Sequence, residues 1–584
     1  MKNTTRSMNS FEISVENFNE IQIQNFLFQL TIYAQCVRSN GKLMKSFLQR
    51  EGIDILDLNQ NSLKWELHQT IRIRTLEKIS PDDDIKVEIE TEEAGRLVIQ
   101  NQSIVQEIPK TSHMRKLSDL WKKNFSADFI ADAMDICGQQ QDFQFGYAFQ
   151  IDESAKTISQ WMDLETGKIH EWVIPIIKDL HPKTLRYRWN PANEDPLHKT
   201  AFLNFLRICS EIEASPHIIM PLAQKESLNL SGTIQEVQEA ISSKPWWIPQ
   251  RIWEISCTGF DSQTSTEKIN LLRETAERIK SIDPDSTLIL PGSDPMFSDG
   301  RQWNEKLFES CNEWMDQIGV SNIFPGPKGW DGAEDNISFD QVCGLSQEFE
   351  AWIKRISNQL GTVDLHKTVR IAISPWSYFK QPALQKSFYD SSYEKQDAFY
   401  FQSVNNIIRK LSSRLGIVET GFLFGPMGMI ESDQGKHWKT VPYVLFSMNR
   451  SLQNLILKTK TIPGKEIPSF RWAGIPGIAE EHTIPYLDGL FSRSEDGKKL
   501  TVIILNRHPR KRALVRVNFM NFPDMHPTEA KVLRAKNRFS VNTGDNPEAV
   551  FCKEIPMRNY KPMDHVTLDI GPIGIAMMTL TSKA

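Results

Sequence analysis

The sequence lacks any closely spaced pair of cysteines. Its seven cysteines are odd in number and lie far apart, which argues against both a disulfide framework and a thiolate metal site. It also has no HExxH, no paired-histidine metal pattern, no GxGxxG after a strand and no P-loop, so the metalloprotease, dinucleotide-binding and NTPase classes lack support. We therefore expect reduced cysteines, mostly in the core, and no metal or other cofactor.

Long apolar runs and runs of one charge are missing as well. No run approaches the ~18 apolar residues of a membrane span, and the start, MKNTTRSMNSFEISVENF, has no apolar core of about 7 to 15 residues, as a secretory signal would. Lys plus Arg (68) nearly balance Asp plus Glu (73), for a net charge of −5, and no basic stretch could follow a phosphate backbone or an anionic membrane. These absences predict a soluble, cytoplasmic protein with neither nucleic acid nor membrane as a partner.

Residues 1–110 are predicted to form a β-rich N-terminal domain. Thr70–Thr75 and Ile85–Glu90 alternate apolar and polar or charged residues, and the turn-forming run Pro81–Asp84 separates them, which predicts a hairpin with one solvated face. Such a module could bind a sugar, support the structure or mediate homo-oligomerisation, and these alternatives stay open. Residues 111–142 are predicted to be a polar connector with helical content, which includes Ala131–Met134.

Residues 143–468 alternate predicted strands and helices. This pattern predicts a parallel (β/α)8 barrel, with a doubly wound sheet as the alternative. The barrel is favoured because irregular loops rich in Pro, Trp and Asp follow the strands, as where loops build a site on one face. After Pro468 the helical periodicity ends, and residues 469–584 are predicted to form a C-terminal β-sandwich with strands such as Leu500–Asn506. The predicted barrel strands are Phe143–Phe149, Thr184–Tyr187, His217–Met220, Ile252–Ile255, Thr287–Leu290, Val369–Ile373 and Gly421–Phe424.

The stretch from Arg251 to Asp261 reads RIWEISCTGFD, a buried strand that runs into a loop. This stretch and several other motifs occur in an order that resembles the α-L-arabinofuranosidases of glycoside hydrolase family fifty-one, which combine a (β/α)8 barrel with a β-sandwich. The resemblance covers roughly residues 143 to 580 and implies the same fold. The family patterns G-x-F-x-E, L-R-x-P-G-G, W-E-I-G-N-E and D-E-W-N are similar to Gly146–Gln150, Leu185–Asn190, Trp253–Thr258 and Ser374–Ser377, respectively.

The same resemblance implies that the catalytic residues have been lost. A retaining glycosidase needs two carboxyl groups about 5 to 5.5 Å apart, and the family's acid and nucleophile fall at Thr258 and Pro375. Threonine cannot act as a general acid near neutral pH, and proline has no nucleophilic side-chain atom. The family's first-strand Glu is Gln150, the Asn before the acid is Cys257, and the Pro-Gly-Gly turn is Arg188-Trp189-Asn190. These bulky side chains should partly fill the sugar subsite.

Glu254 should point into the barrel, because alternate residues of a strand share a face. An inward carboxylate is costly unless it is paired, so we predict a buried ion pair with Arg186, with a structural role favoured over ligand binding. The substrate-binding candidates are Gln150, Arg186, Trp189, Asn190, Glu254, Asp261 and Trp376.

Tryptophans and aspartates in the loops after the strands have alternative roles. Trp189, Trp330 and Trp376 could stack on sugar rings, but packing in the core or in loops is the alternative for each. For the aspartates, loop capping or solvation is favoured over a relocated catalytic role. These are Asp261, Asp294, Asp299 and Asp331.

Two functions are consistent with the sequence. The favoured one is a non-catalytic glycosidase homologue that binds a carbohydrate or a protein partner, or serves as an assembly subunit. The other is a working glycoside hydrolase with relocated carboxylates, for example Glu254 or Asp261 together with Asp294 or Glu419. A solvent-open cleft with two carboxyl groups within about 5 to 10 Å on the C-terminal barrel face would favour the second.

Overall fold

The chain divides into two compact units, residues 1–123 with 327–341 and residues 124–326 with 342–584. The computed structural model describes residues 9–13, 71–75, 86–91, 95–100, 104–106, 125–150, 154–189, 195–222, 234–235, 238, 250–257, 265–296, 298–325, 339–362, 368–379, 392–425, 427–433, 435–461, 467–472, 482–556 and 565–582.

The first unit contains short antiparallel strands. They are β1 (Asn9–Ile13), β2 (Ile71–Thr75), β3 (Lys86–Thr91), β4 (Gly95–Gln100) and β5 (Ile104–Gln106). β1 pairs with β2 and β5, and β3 pairs with β4. Both predicted strands are present, but the predicted hairpin between them is wrong. Only residues 92–94 separate β3 from β4, whereas residues 76–85 separate β2 from β3, so the observed pairing closes a shorter loop at a lower cost in chain entropy.

The second unit begins with two strands, β6 (Phe125–Asp132) and β7 (Ile136–Gln139). The predicted helical content at Ala131–Met134 is wrong. Buried residues recur at every second position of β6, at Ala127, Phe129 and Ala131, and this period of two is the signature of a strand with one buried face. Both strands join sheets of the C-terminal sandwich, so the predicted connector contributes to that sandwich. The other domain boundaries stay predictions.

A closed barrel of eight parallel strands forms the centre of the second unit. Neighbouring strands follow the chain order, and the last strand pairs with the first. Because the sheet closes, the predicted barrel is confirmed and the doubly wound alternative is excluded. The strands are β8 (Gln144–Gln150), β9 (Thr184–Arg188), β10 (Ser215–Pro221), β11 (Ile252–Ser256), β12 (Thr287–Pro291), β13 (Gln317–Pro325), β14 (Arg370–Phe379) and β15 (Leu415–Phe424).

Helices follow most of these strands, and the last helix comes after the barrel. They are α1 (Ala155–Ile158), α2 (Val173–Asp179), α3 (Pro196–Ile212), α4 (Ser265–Ile282), α5 (Ser298–Cys311), α6 (Phe339–Gly361), α7 (Ala398–Lys410) and α8 (Val441–Met448). The side chain of Asp195 caps α3 by accepting a hydrogen bond from the amide of Leu197 at 2.9 Å. A backbone N–H group in the first turn of a helix has no partner within the helix, and this bond supplies one. The sequence pattern does not predict α5, which is mostly polar, or β13, whose apolar run is interrupted by Gly319, Ser321 and Asn322.

The interior of the barrel is built in layers, because alternate residues of each strand point inward. One layer is a buried apolar cluster made of Ile252, Ile289, Ala372 and Ile417. Two positions further along three of the same strands are Glu254, Ser374 and Glu419. Barrels of this class usually fill such layers with branched apolar side chains. A polar layer next to an apolar one therefore marks the place for a functional site.

A hairpin and then a sandwich follow the barrel. The hairpin consists of β16 (Ile430–Asp433) and β17 (Lys436–Lys439). One sheet of the sandwich has the order β26-β25-β28-β23-β22-β18-β7 and the other β19-β6-β24-β27, and side chains of both sheets share one apolar core. The later strands are β18 (Leu455–Leu457), β19 (Lys460–Thr461), β20 (Ser469–Trp472), β21 (His482–Pro485), β22 (Leu487–Arg493), β23 (Lys499–Asn506), β24 (Ala513–Met520), β25 (Met525–Ala535), β26 (Val550–Glu554), β27 (His565–Ile570) and β28 (Gly574–Ser582).

Candidate functional site

The polar layer of the barrel contains a charged network that begins with Arg186 on β9 and Glu254 on β11. The Nε atom of Arg186 donates to Oε2 of Glu254 at 2.9 Å, and its Nη2 atom donates to Oε1 at 2.8 Å. Two parallel, charge-assisted hydrogen bonds are the strongest arrangement for these groups. The predicted ion pair is confirmed. The two side chains keep 14% and 13% exposure, so this pair is the part of the network nearest to solvent.

His217 on β10 connects this pair to a second carboxylate. Its Nε2 atom lies 2.9 Å from Oε2 of Glu254, and its Nδ1 atom lies 2.9 Å from Oε2 of Glu419 on β15. β10 lies between β9 and β11, and its register aligns His217 with Arg186 on one side and with Ile252 on the other. The side chain of His217 therefore meets Glu254 two residues further along β11. His217 and Glu419 are both completely buried. One imidazole ring therefore separates the two carboxylates.

Ser374 on β14 completes the network. Its hydroxyl donates to Oε2 of Glu419, the same oxygen that faces His217. The other oxygen of Glu419, Oε1, is buried without a hydrogen-bond partner in the part of the chain that the structure describes. A buried acceptor without a partner costs free energy, so this oxygen is a weak point of the network.

The close contacts between cations and carboxylates in this network shift the pKa values of His217 and Glu254. Burial lowers the pKa of His217, but the carboxylates of Glu419 and Glu254 outweigh that effect and raise it to about 9. For Glu254, burial alone would raise the pKa. The guanidinium of Arg186 and the imidazole of His217 outweigh burial and lower the pKa to about 2. At neutral pH, Glu254 is therefore ionised and His217 is protonated.

The sequence analysis missed His217 and Ser374, and it named Glu419 only as an alternative catalytic carboxylate. A usable signal was present for His217 and Glu419, because each interrupts a strand that is otherwise almost entirely apolar. A titratable residue in a buried strand needs a partner. Ser374 carries no such signal, since a buried serine can bond to the backbone.

Gln150 and Pro375 are predicted site positions that the structure describes. Gln150 ends β8, and its Oε1 atom accepts a hydrogen bond from Nε1 of Trp161 at 3.1 Å. Its Nε2 atom is buried and has no partner among the residues described. Pro375 is buried within β14. The predicted positions outside the described residues are Asn190, Thr258, Asp261, Trp330 and Asp331.

Trp189 and Trp376 pack away from the barrel interior. Trp189 stacks on Phe202 of α3, with ring centroids 4.3 Å apart, and is almost fully buried. Trp376 is completely buried, and its ring centroid lies 5.7 Å from the centroids of both Phe349 and Phe401. Neither ring offers an open face for a sugar. The structure therefore favours the core-packing alternative for both residues over the predicted stacking role.

Asp294 and Asp299 take structural positions in the loop after β12. Asp294 accepts hydrogen bonds from the guanidinium of Arg355 at 3.3 and 3.1 Å and from the amide of Met296 at 2.9 Å. Asp299 lies in the first turn of α5, where a carboxylate stabilises the helix dipole. Asp294 bonds within its loop and Asp299 is exposed, which agrees with the favoured interpretation of loop capping or solvation.

No family model matches the sequence, and no curated protein is similar to it. Solved structures do match. The α-L-arabinofuranosidase from Thermotoga maritima, determined with arabinose, is 16% identical with a TM-score of 0.62, over 78% of this chain and 100% of that one. The family 51 α-L-arabinofuranosidase AbfB from Bifidobacterium longum is 12% identical with a TM-score of 0.63, over 78% and 99%. This chain has the fold of the family fifty-one α-L-arabinofuranosidases. At these identities the likeness shows the fold alone.

In this arabinofuranosidase fold, a cleft of about 540 Å³ lies beside the barrel. One wall comes from residues 156–172, which follow β8, and the other from residues 432–436 of the hairpin after β15. β8 and β15 are neighbours in the barrel, so segments from opposite ends of the barrel sequence meet here. Both segments leave the carboxyl ends of their strands, where the sites of such barrels are built.

Glu431 on β16 is a further carboxyl group of this chain that the sequence analysis missed. It is partly buried and accepts hydrogen bonds from Nε1 of Trp438 at 3.1 Å and from Oγ of Ser392 at 3.2 Å. Burial outweighs these bonds and raises the pKa of Glu431 to about 7. A general acid requires such a pKa. No local sequence pattern singles out Glu431, because its burial comes from segments distant along the chain.

Other classes of site find no support in the residues described. No group of three or more His, Cys, Asp or Glu among them could hold a metal ion, and the six cysteines described are free thiols. Within the same described ranges, no helix is long and apolar enough to cross a membrane. The cytoplasmic location stays a prediction.

Proposed function

We propose that this chain is an α-L-arabinofuranosidase-like protein that has lost glycosidase activity and acts as a carbohydrate-binding or scaffold protein. One observation carries the proposal, namely that Glu254 and Glu419, carboxylates inside the barrel, are bound to internal cations. Glu254 contacts Arg186 and His217, and Glu419 contacts His217. Carboxylates held in this way stabilise charges of the protein and are not available to a substrate.

The chemistry of glycoside hydrolysis supports this proposal. A general acid must carry a proton at the working pH, whereas the pKa of Glu254, about 2 despite its burial, keeps it ionised. A nucleophile must reach the anomeric carbon, whereas Glu419 is completely buried. A retaining enzyme holds its two carboxyl groups about 5 to 5.5 Å apart across the scissile bond. Here the ring of His217 occupies the space between them.

The second candidate is an active glycoside hydrolase with relocated carboxylates, and Glu431 is the observation that favours it. Its pKa of about 7, raised by burial, suits a general acid, and its hairpin follows the last barrel strand. A second carboxyl group would have to come from another part of the chain, such as Asp261, which lies between β11 and α4 in the sequence. Glu254 and Glu419 are not a candidate for the catalytic pair, because Arg186 and His217 already bind these carboxylates.

A measurement of glycoside hydrolysis distinguishes the two candidate functions. The purified full-length chain is incubated with 4-nitrophenyl α-L-arabinofuranoside and the matching β-xyloside and β-glucoside, and release of nitrophenol is followed against a heat-denatured sample. The non-catalytic proposal predicts no release above that blank. Release that disappears in the Glu431→Gln variant, but persists in a Glu277→Gln control on the exposed face of α4, would establish the second candidate instead.

A further inference from the structure

The cleft between residues 156–172 and residues 432–433 and 435–436, here called the rim cleft, is large enough for a ligand. Its volume of about 540 Å³ lies within the range of about 300 to 1,000 Å³ that small-molecule sites occupy. Each wall contributes one cation and one carboxylate. Lys156 and Glu171 come from the segment after β8, and Asp433 and Lys436 come from the hairpin.

This balance of charge indicates the chemical class of the ligand. An anion would meet the exposed carboxylates of Glu171 and Asp433. A cation would meet Lys156 and Lys436, of which Lys436 also lies 3.5 Å from Asp545. An alcoholic hydroxyl both donates and accepts hydrogen bonds, so a neutral polyhydroxyl ligand can satisfy both kinds of side chain. Bonds to charged groups are also stronger than bonds between neutral groups. The lining therefore fits a sugar better than a phosphate or an amine.

An aromatic ring adds the second feature of a sugar site. Trp172 lines the rim cleft and is partly exposed. Its ring stacks on His437, with centroids 4.3 Å apart and an interplanar angle of 8°, and lies nearly parallel to His170, with centroids 6.1 Å apart. These contacts fix its orientation, so a ligand would meet the part of the side chain that stays exposed. The apolar ring of a tryptophan can pack against the C–H groups of a sugar, and its N–H group can donate a hydrogen bond to a hydroxyl oxygen.

The two walls of the rim cleft are joined before any ligand binds. The hydroxyl of Ser432 donates to the carbonyl oxygen of Gln160 at 3.2 Å. The amide of Gly425 donates to the side chain of the same Gln160 at 2.9 Å. Together with the stack of Trp172 on His437, these bonds hold the segment after β8 against the hairpin. A preformed site loses less conformational entropy on binding.

We propose that the rim cleft binds a neutral oligosaccharide, with Glu171 and Asp433 accepting hydrogen bonds from its hydroxyl groups. Neither carboxylate has a hydrogen-bond or ion-pair partner among the described residues, in contrast to Glu254, which Arg186 holds. The inference rests on the proposed carbohydrate-binding function and places the ligand at the rim rather than in the barrel centre.

The test is isothermal titration calorimetry on the full chain with arabinohexaose, xylohexaose and cellohexaose, and with inorganic phosphate as an anionic probe. The double variant Glu171→Gln/Asp433→Asn removes both carboxylates of the cleft and keeps their shapes. Its matched control is Glu277→Gln/Asp524→Asn, which makes the same changes at exposed positions on α4 and in the turn after β24. Equal melting temperatures of the two double variants show that both are folded.

We expect at least one neutral hexaose to bind the wild type and the control with equal affinity, and phosphate not to bind. The cleft variant should bind that sugar at least about tenfold more weakly, since each lost charged acceptor weakens a charge-assisted bond. Equal affinity in the cleft variant would overturn the rim site and leave the carbohydrate-binding proposal standing. If none of the three sugars binds the wild type, both proposals of carbohydrate binding fail and the scaffold role remains.

Discussion

The Nδ1 atom of His217 lies 2.9 Å from Oε2 of Glu419, and neither side chain is exposed to solvent. This contact links β10 to β15, which are not neighbours in the barrel. Together with Arg186 on β9 and Glu254 on β11, these residues form a charged network that joins four strands across the interior of the barrel. The stability of the barrel should therefore respond to pH and to the loss of single members of the network.

Stability should fall as the pH rises from about 6.5 to about 9 because of His217. The carboxylates of Glu419 and Glu254 raise the pKa of His217 to about 9, against the effect of burial, whereas an unfolded histidine titrates at about 6.5. The folded state thus keeps a proton that the unfolded state loses. Its contribution to the free energy of unfolding, roughly 3 kcal/mol, is complete below pH 6.5 and is lost as the pH rises through 9. Urea unfolding at a series of pH values measures this loss of stability.

A pair of variants isolates this effect. His217→Asn removes the titrating group, so the loss of stability over that pH range should shrink. His181→Asn is the matched control, because His181 is exposed and has a φ of 50°, a conformation that asparagine tolerates. An undiminished loss in His217→Asn would refute the assignment.

Replacement of Arg186 by Met should destabilise the protein strongly. The change leaves Glu254 ionised in the barrel interior with only His217 beside it, and removal of one partner of a buried pair costs about 3 to 5 kcal/mol. Arg207→Met is the control, because Arg207 pairs with Glu211 on the surface of α3, where such a pair contributes less than about 1 kcal/mol. Denaturant unfolding compares the two, and equal effects would contradict the structural role of Arg186.

The Glu431→Gln variant should be more stable than the wild type at alkaline pH. Burial raises the pKa of Glu431 to about 7, well above that of an unfolded glutamate, so the folded state holds a proton that the unfolded state releases. Stability is therefore highest below about pH 4.3 and falls as the pH rises through 7. Glutamine carries no charge, so we expect a gain of about 3 kcal/mol near pH 8 and little difference near pH 4. Parallel pH profiles for variant and wild type would show that Glu431 titrates normally.

Trp376→Ala should destabilise the fold without a specific effect on sugar binding. Trp376 is completely buried among aromatic side chains, and truncation of such a residue costs about 3 to 5 kcal/mol. Trp376→Phe should keep most of the stability and all of the affinity for an oligosaccharide. Trp172→Ala, at the rim cleft, should weaken the affinity for the oligosaccharide and also lower the stability, because the ring stacks on His437 and joins the two walls of the cleft. Thermal unfolding and calorimetric titration of the variants distinguish the two tryptophans, and a loss of affinity in Trp376→Phe would restore its predicted ligand role.

The sequence by itself determined the barrel and one part of the site. Buried parallel strands are short apolar runs bounded by turn residues, and these runs recur from β8 to β15 with helices between them. The pair of Arg186 and Glu254 could be predicted because strand alternation turns Glu254 inward and an inward carboxylate needs a cation. The pattern failed at β6, which is separated from its sandwich partners by the whole barrel, and at β13, whose polar residues hide the strand.

Only the tertiary structure decided which distant groups meet. His217 and Glu419 are 202 residues apart in the chain, and their contact exists because the barrel closes and both strands turn these residues inward. The burial of Trp376 likewise depends on which side of β14 faces the helices. The rim cleft forms because closure places the first strand next to the last, so that two loops from opposite ends of the barrel become its walls. Local periodicity carries no information on such contacts, since they are set by how the sheet closes.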